Sequence, residues 1–382
     1  MRYKIGFEFP LFDQKFLQHA HSHFAFAGWI SHTIMLLIIN SISKQLTPSQ
    51  IKKYVLILNA NLVCAYGMLF SFSMQGYGPI AIFFSTLSIV ASYAFAYLFF
   101  KDTGKGKLQF TGKNWYTFAI IINALSSAGT FLLAYMMISK NIEQNLYLAS
   151  IYYYLHFQYN GWFFFACAGL FFNKISMLIP TFKEDKWVFI LFSSSCVPAY
   201  FLSTLWLKLP VWLYLIVVLA SIVQVVAWIR LFTNLKEYMP QLKKMTNSFI
   251  KYLILFVTLA LTVKLMLQLF STIPSISELA FGFRTIVIAY LHLVLLAIIS
   301  VFLIAYMFQS NHIKQTVAIK TSAILFTIGI FLNELVLLVQ GVASFSYILI
   351  PFANEALFAV AVLMFSSLLM LFLFSIKQKN SN

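Results

Sequence analysis

Acid is the first thing this chain lacks. Ten aspartates and glutamates stand among 382 residues, against 26 lysines and arginines. Charged residues of both signs make up 9% of the sequence, where a soluble domain carries about a quarter. So little charge excludes a soluble fold as the main body of the molecule. Cysteine is scarcer still: Cys64, Cys167 and Cys196 stand singly in apolar stretches. That spacing excludes a disulfide framework and a CxxC metal site, and fits small core residues. Familiar catalytic signatures are missing too. There is no GxSxG, P-loop or HExxH, and no GxGxxG behind a strand. The set of HxxxH and HxxHH boxes that a membrane di-iron enzyme needs does not occur, which argues against a desaturase-like or hydroxylase-like site.

What the chain has is apolar length. Hydrophobic residues are 61% of the total and fall in long runs with few charges. Runs of about 20 residues cross a hydrocarbon core about 30 Å thick as helices. Eleven are expected: Phe16–Ile42, Tyr54–Met74, Pro79–Phe100, Trp115–Ile138, Tyr147–Phe172, Trp187–Leu207, Val211–Phe232, Phe249–Phe270, Arg284–Phe308, Val317–Gln340 and Tyr347–Phe374. The last is long enough to tilt or to break at Pro351, so 11–12 helices are allowed for. Residues 1–382 read as one all-α, polytopic transmembrane helix bundle whose solvent is the lipid bilayer. The first residues hold Glu8 and Asp13 without a small-residue cleavage site, so no cleavable signal sequence is expected.

The net charge of +16 is unevenly placed. Counting loops from the N-terminus, Arg2, Lys4, Lys15, Lys140, Lys208 and Arg284 lie on one side. Nineteen basic residues lie on the other, and Lys264 alone falls within a span. Basic residues collect on the cytoplasmic face, so the N-terminus is expected outside and the C-terminus in the cytoplasm. The charge then belongs to the topology of a bacterial inner-membrane protein, and no nucleic-acid partner is expected.

Histidine recurs in a pattern. The strings "HSHFAFAGW", "YLHFQYNGW" and "YLHLVLLAI" place His23, His156 and His292 in the first, fifth and ninth spans, separated by 133 and 136 residues. Near-equal spacing predicts three pseudo-repeats of about four helices, over residues 1–140, 141–275 and 276–382, the last short by one helix. All three histidine-bearing spans start on the outer side, which sets the imidazoles roughly 10–15 Å below it. Gln158, Tyr159 and Asn160 flank His156. Lys264 and Gln268, Asn333, Glu334 and Gln340, and Asn354 and Glu355 sit toward the outer ends of their spans, while Asn59, Asn61 and Asn123 occupy the inner half.

Ionisable residues in a membrane cost a few kcal/mol unless paired or wetted, so function is their default reading. A lone histidine can instead hold two helices together by a hydrogen bond; three at matched positions point to a metal or cofactor. His19 and His23 share a helix face and His21 points away from it; the alignment favours His23 as a ligand, with His21 its rival. Gly28-Trp29 and Gly161-Trp162 allow either close helix approach or the face of a large ring. Lys264 can snorkel, pair with Glu334 or bind an acidic group. Arg284, above His292, can hold a propionate or anchor the interface.

On these residues the chain resembles a reduced relative of the haem–copper oxidase catalytic subunit, or of the NnrS-type membrane haem proteins. That family has three arcs of four helices, with histidines on its second, sixth and tenth helices. With the family's first helix missing, those become the first, fifth and ninth here. The resemblance implies a low-spin haem b with His23 (or His21) and His292 as axial ligands, and His156 at the copper-binding position. The family reads His-Pro-Glu-Val-Tyr where this chain reads His156-Phe157-Gln158-Tyr159-Asn160, and Tyr290 replaces the first histidine of the tenth-helix His-x-His pair. No histidine lies between Trp187 and Leu207, where the family's His-His pair belongs. The departures favour the haem, weigh against copper at His156 and weigh against dioxygen reduction. Gln158, Tyr159, Asn160, Lys264 and Glu334 are expected around the ligands. The expected role is electron transfer or handling of a diatomic gas such as nitric oxide or dioxygen. Respiratory subunits, or a quinone or cytochrome donor, are the expected partners. The alternatives are a proton-coupled transporter whose His, Glu and Lys layer titrates, marked by Gly/Pro-broken helices at matched positions, and a non-catalytic subunit of a respiratory complex.

Overall fold

The computed structural model describes residues 11–104, 108–346 and 348–379. Arg2, Lys4, Glu8, Lys105, Lys107 and Tyr347, used in the reading above, lie outside the described residues. No strand occurs among the described residues, and ten helices are long and apolar enough to cross a membrane. They are α1 (Gln14–Gln45), α2 (Pro48–Gln75), α3 (Pro79–Thr103), α4 (Lys113–Ser139), α5 (Gln144–Leu178), α7 (Val211–Lys236), α9 (Ser248–Phe270), α11 (Arg284–Gln309), α12 (Val317–Phe345) and α13 (Ala353–Lys377). Between them stand α6 (Lys186–Cys196) and the short helices α8 (Met239–Met245) and α10 (Pro274–Gly282). The protein is an all-α polytopic bundle.

The expected sixth span, Trp187–Leu207, is where regular helix fails. α6 ends at Cys196, and a 3₁₀ segment, Pro198–Thr204, continues at 44° to it. Pro198 has no N–H to give the preceding turn, and its ring crowds the carbonyl four residues back, so the helix bends there. Counted as one crossing, the bent pair makes eleven spans; counted as a re-entrant loop, it leaves ten.

Helix starts follow local chemistry. Asp13 accepts from the N–H groups of Lys15 at 2.7 Å and Phe16 at 3.2 Å, capping α1. Thr47 and Gln50 form a reciprocal capping box ahead of α2, with Pro48 at its first position. Glu143, Asp185 and Asn247 cap α5, α6 and α9. Asp185 also pairs with Arg230 of α7 at 2.5 Å, and neighbouring Glu184 accepts from the Trp115 indole of α4 at 2.5 Å. Burial pushes the Glu184 carboxyl above the usual carboxylate range, against the lowering effect of the Trp115 hydrogen bond.

The chain divides into two compact units, one running to Tyr238 and the other starting at Met239. This division falls inside residues 141–275, the middle pseudo-repeat expected from sequence. In unit 1, α1 packs on α2, α2 on α3, α4 on α5 and α6 on α7. The approach of α4 to α5 is set by glycine: a Cβ on Gly129 would stand 2.6 Å from the Ser150 carbonyl oxygen. In unit 2, α9 and α12 pack against α11 and α13 respectively, with Leu261, Leu265, Val294, Ala297 and Ile330 buried.

The contact at Gly129 is with backbone, which cannot rotate away. Gly129→Val is expected to lower stability by about 1–3 kcal/mol. Gly282→Ala, where an added Cβ meets nothing within 4 Å, is expected to leave it unchanged. Thermal unfolding of both variants in detergent checks this; equal midpoints would refute the close approach.

Candidate functional site

Each repeated histidine is followed at once by a stretch of π-helix. Phe24–Ser31 follows His23 in α1, Phe157–Phe163 follows His156 in α5, and Leu293–Ser300 follows His292 in α11. Among the described residues these three are the π segments. A π turn takes in an extra residue and shifts the backbone bonds from i−4 to i−5, which re-aims side chains and displaces carbonyls. Ser300 reaches the displaced Leu295 carbonyl five residues back, at 2.8 Å. The Ala27 carbonyl, inside the first π segment, accepts from Asn61 Nδ2 of α2 at 3.1 Å.

Unit 1 holds a small polar cavity of about 50 Å³ beside two of these segments. It is lined by Ala27, Ser31, Asn61, Ser88, Ser92, Asn123, Ser126, Ser127, Tyr154 and Gln158, together with Phe26, Met35 and Ile89. The polar residues come from near the middle of α1 to α5. Asn61 is the fourteenth residue of the 28 in α2, Ser92 the fourteenth of 25 in α3, and Ser127 the fifteenth of 27 in α4. Gln158 donates to Asn123 Oδ1 at 2.8 Å and to Ser126 Oγ at 2.7 Å, and Ser88 donates to Asn61 Oδ1 at 3.2 Å. The Trp162 indole donates to Ser31 Oγ at 3.1 Å, tying α5 to α1. The reading from sequence separated Gln158 from Asn61 and Asn123 as outer and inner residues. In the fold they line one cavity at mid-height, and Asn59 is exposed.

His156 is fully buried with both ring nitrogens engaged. Nε2 lies 2.9 Å from the Cys196 carbonyl oxygen, so it carries the proton and donates; Nδ1 lies 3.1 Å from Asn160 Nδ2. No lone pair is left for a metal, and the copper-like role for His156 does not fit. This is the helix-joining role instead: the Cys196 carbonyl sits at the Pro198 bend, where a regular helix would have used it. Tyr159 and Asn160 are buried beside it.

His23 is half-buried in the N-terminal part of α1. Its ring lies flat on Phe72, centroids 4.2 Å apart at 9°, and Nε2 is 3.3 Å from the Tyr77 hydroxyl. His19 meets Tyr77 edge-on at 4.6 Å. The two form one aromatic box, and His21 is exposed. The Gly-Trp glycines serve packing: a Cβ on Gly161 would stand 2.1 Å from Ile122 Cγ2, and one on Gly28 would stand 3.0 Å from Ala65 Cβ. The Phe24 ring, 2.9 Å from the added Cβ, already covers the face of Gly28, and Ile122 covers that of Gly161.

In unit 2, His292 Nδ1 donates to the Ile288 carbonyl at 3.0 Å, which sets the lone pair on Nε2. Tyr290 is half-buried and Arg284 exposed. Lys264 and Gln268 are buried one turn apart on α9, and Gln268 Oε1 has no partner. Asn333 donates to Glu334 Oε1 at 3.1 Å, and Asn354 and Glu355 are exposed at the start of α13. Among the described residues, no three His, Cys, Asp or Glu side chains gather closely enough to hold a metal ion.

The cavity residues that sequence reading passed over are serines: Ser31, Ser88, Ser92, Ser126 and Ser127. Serine is common in membrane helices, so none stood out; counting each one's distance from its helix midpoint would have aligned them. Gln158 carries much of this network. Gln158→Leu strands Asn123 Oδ1 and Ser126 Oγ without their donor, and is expected to cost about 1–3 kcal/mol. A fall in the detergent unfolding midpoint checks this, and an undiminished midpoint would show the network contributes nothing. Compared with known proteins, the chain matches no family model and no curated protein.

Proposed function

We propose that this is a haem-binding membrane protein of the oxidase catalytic-subunit kind, serving electron transfer or the handling of nitric oxide or dioxygen. The observation that carries the reading is His292. Its Nδ1–H is held by the Ile288 carbonyl, which makes Nε2 the unprotonated nitrogen, the form in which an imidazole binds iron, and a π segment follows it as one follows His23. An imidazole oriented by a backbone carbonyl is the usual arrangement for a metal-bound histidine. Haem supplies a one-electron couple and an iron able to take a diatomic ligand. The chain's part is to hold the His292 tautomer and to exclude water with Val294, Ala297 and Ile298, all buried on the next turns. His156 has no place in this proposal as a copper ligand, and four-electron reduction of dioxygen falls with it.

The basic-residue bias supports a bacterial inner membrane setting with the N-terminus outside and a quinone, cytochrome or respiratory subunit as electron partner. If the bent sixth span did not cross, the loops beyond it would change sides, leaving about a dozen basic residues on each. One observation favours a second reading, solute transport: the mid-height polar cavity lies against π-distorted helices, where alternating-access proteins place their substrates.

Optical spectra of the detergent-purified protein decide between them. A Soret band with sharp α and β bands on dithionite reduction is expected, lost in His292→Ala and kept in His156→Gln. A colourless preparation from haem-replete cells would sink the haem reading and leave transport.

A further inference from the structure

The cavity in unit 1 has a chemical bias that the haem reading leaves unused. Its lining contains no formal charge: serine, asparagine, glutamine, tyrosine and apolar side chains surround it. An anion would find no positive charge there, and a divalent cation would miss the carboxylates that usually hold one.

The serines have spent their hydrogens on the protein. Ser92 donates to the Ile89 carbonyl at 2.8 Å, Ser126 to the Asn123 carbonyl at 2.7 Å and Ser127 to the Ala124 carbonyl at 2.6 Å. Ser88 donates to Asn61 Oδ1, and Asn61 points its own amide at Ala27. A hydroxyl whose single hydrogen is directed elsewhere can offer only lone pairs to whatever occupies the space. Four of the five lining serines are in this state, and Asn61 Oδ1 adds a carbonyl-type oxygen; Ser126 also accepts from Gln158 Nε2, Ser127 from the Tyr93 hydroxyl and Asn61 Oδ1 from Ser88, so each of these three oxygens keeps one lone pair for an occupant.

Neutral oxygens are what replaces the hydration shell of a monovalent ion, in channel filters and at the distorted helices of carriers. A volume of about 50 Å³ admits a bare alkali ion with one or two waters. It is too small for a fully hydrated ion. From the mid-height position, the missing charge and the turned-in hydroxyl hydrogens, we infer that Asn61, Ser88, Ser92, Ser126 and Ser127 form a binding site for a small dehydrated monovalent cation of the Na⁺ class. The inference is independent of haem.

The test is a thermal-unfolding titration of the full detergent-solubilised chain with NaCl, LiCl, KCl, NH₄Cl and choline chloride at constant ionic strength. A ligand that binds only the folded form raises the midpoint in a saturable way. Expected is a saturable rise of several degrees with one small cation over choline, the arms telling sodium from ammonium. Ser92→Ala, whose hydroxyl bonds only its own helix, is expected to weaken the apparent affinity about tenfold, the loss of one ligand contact. Midpoints equal across all five salts would overturn the site, leaving water as the occupant. So would an undiminished cation response in both Ser92→Ala and Ser126→Ala. The wild-type series stands without the variants, and a colourless preparation that still responds to one cation separates this site from the haem reading.

Discussion

A bilayer offers no water to a buried amide, so the backbone groups inside this chain must find their partners within the protein. The rest of the structure follows from how that demand is met. In regular stretches the helix ladder meets it alone. Where the ladder shifts, a neighbouring side chain takes over: Asn61 reaches the Ala27 carbonyl of the first π segment, and His156 reaches the Cys196 carbonyl beside Pro198. Each repair is also a fastening between helices, so the distorted places of the fold are also its cross-linked places.

The spans were legible because their signal is coarse. A run such as Val211–Phe232 has one outcome in lipid, and its length and flanking charge state it plainly. The sixth span was legible as apolar sequence, yet its shape was not, because Pro198 acts on geometry and hardly on hydropathy. The histidine repeat was legible as text, and the π segments fall on its three copies. What each imidazole does was not legible, since that depends on partners far along the chain. His156 and Cys196 are 40 residues apart, and nothing in either local string announces the other. The cavity was the least visible feature, assembled from five helices by residues unremarkable one at a time.

The three matched histidines are used in different ways. His156 is sealed in hydrogen bonds, His23 lies against an aromatic wall, and His292 is held through Nδ1 by a carbonyl of its own helix. A repeat preserves the place where a helix can be distorted and lets each copy use that place for its own ends. Here the second copy braces a proline bend, and its π segment and that of the first copy border a polar hollow.

The bend after α6 has a mechanical consequence for the surrounding lipid. Eleven α-helical residues rise about 16 Å and seven 3₁₀ residues about 14 Å. Turned 44° from each other, the two segments reach roughly 26 Å along the first axis, short of a core about 30 Å thick. α7 beside them is 26 residues long and overshoots it. Counted as a crossing, the short pair is matched by thinner hydrocarbon and α7 by tilting, so the two neighbours ask different things of one bilayer, and Pro198 fixes where they part.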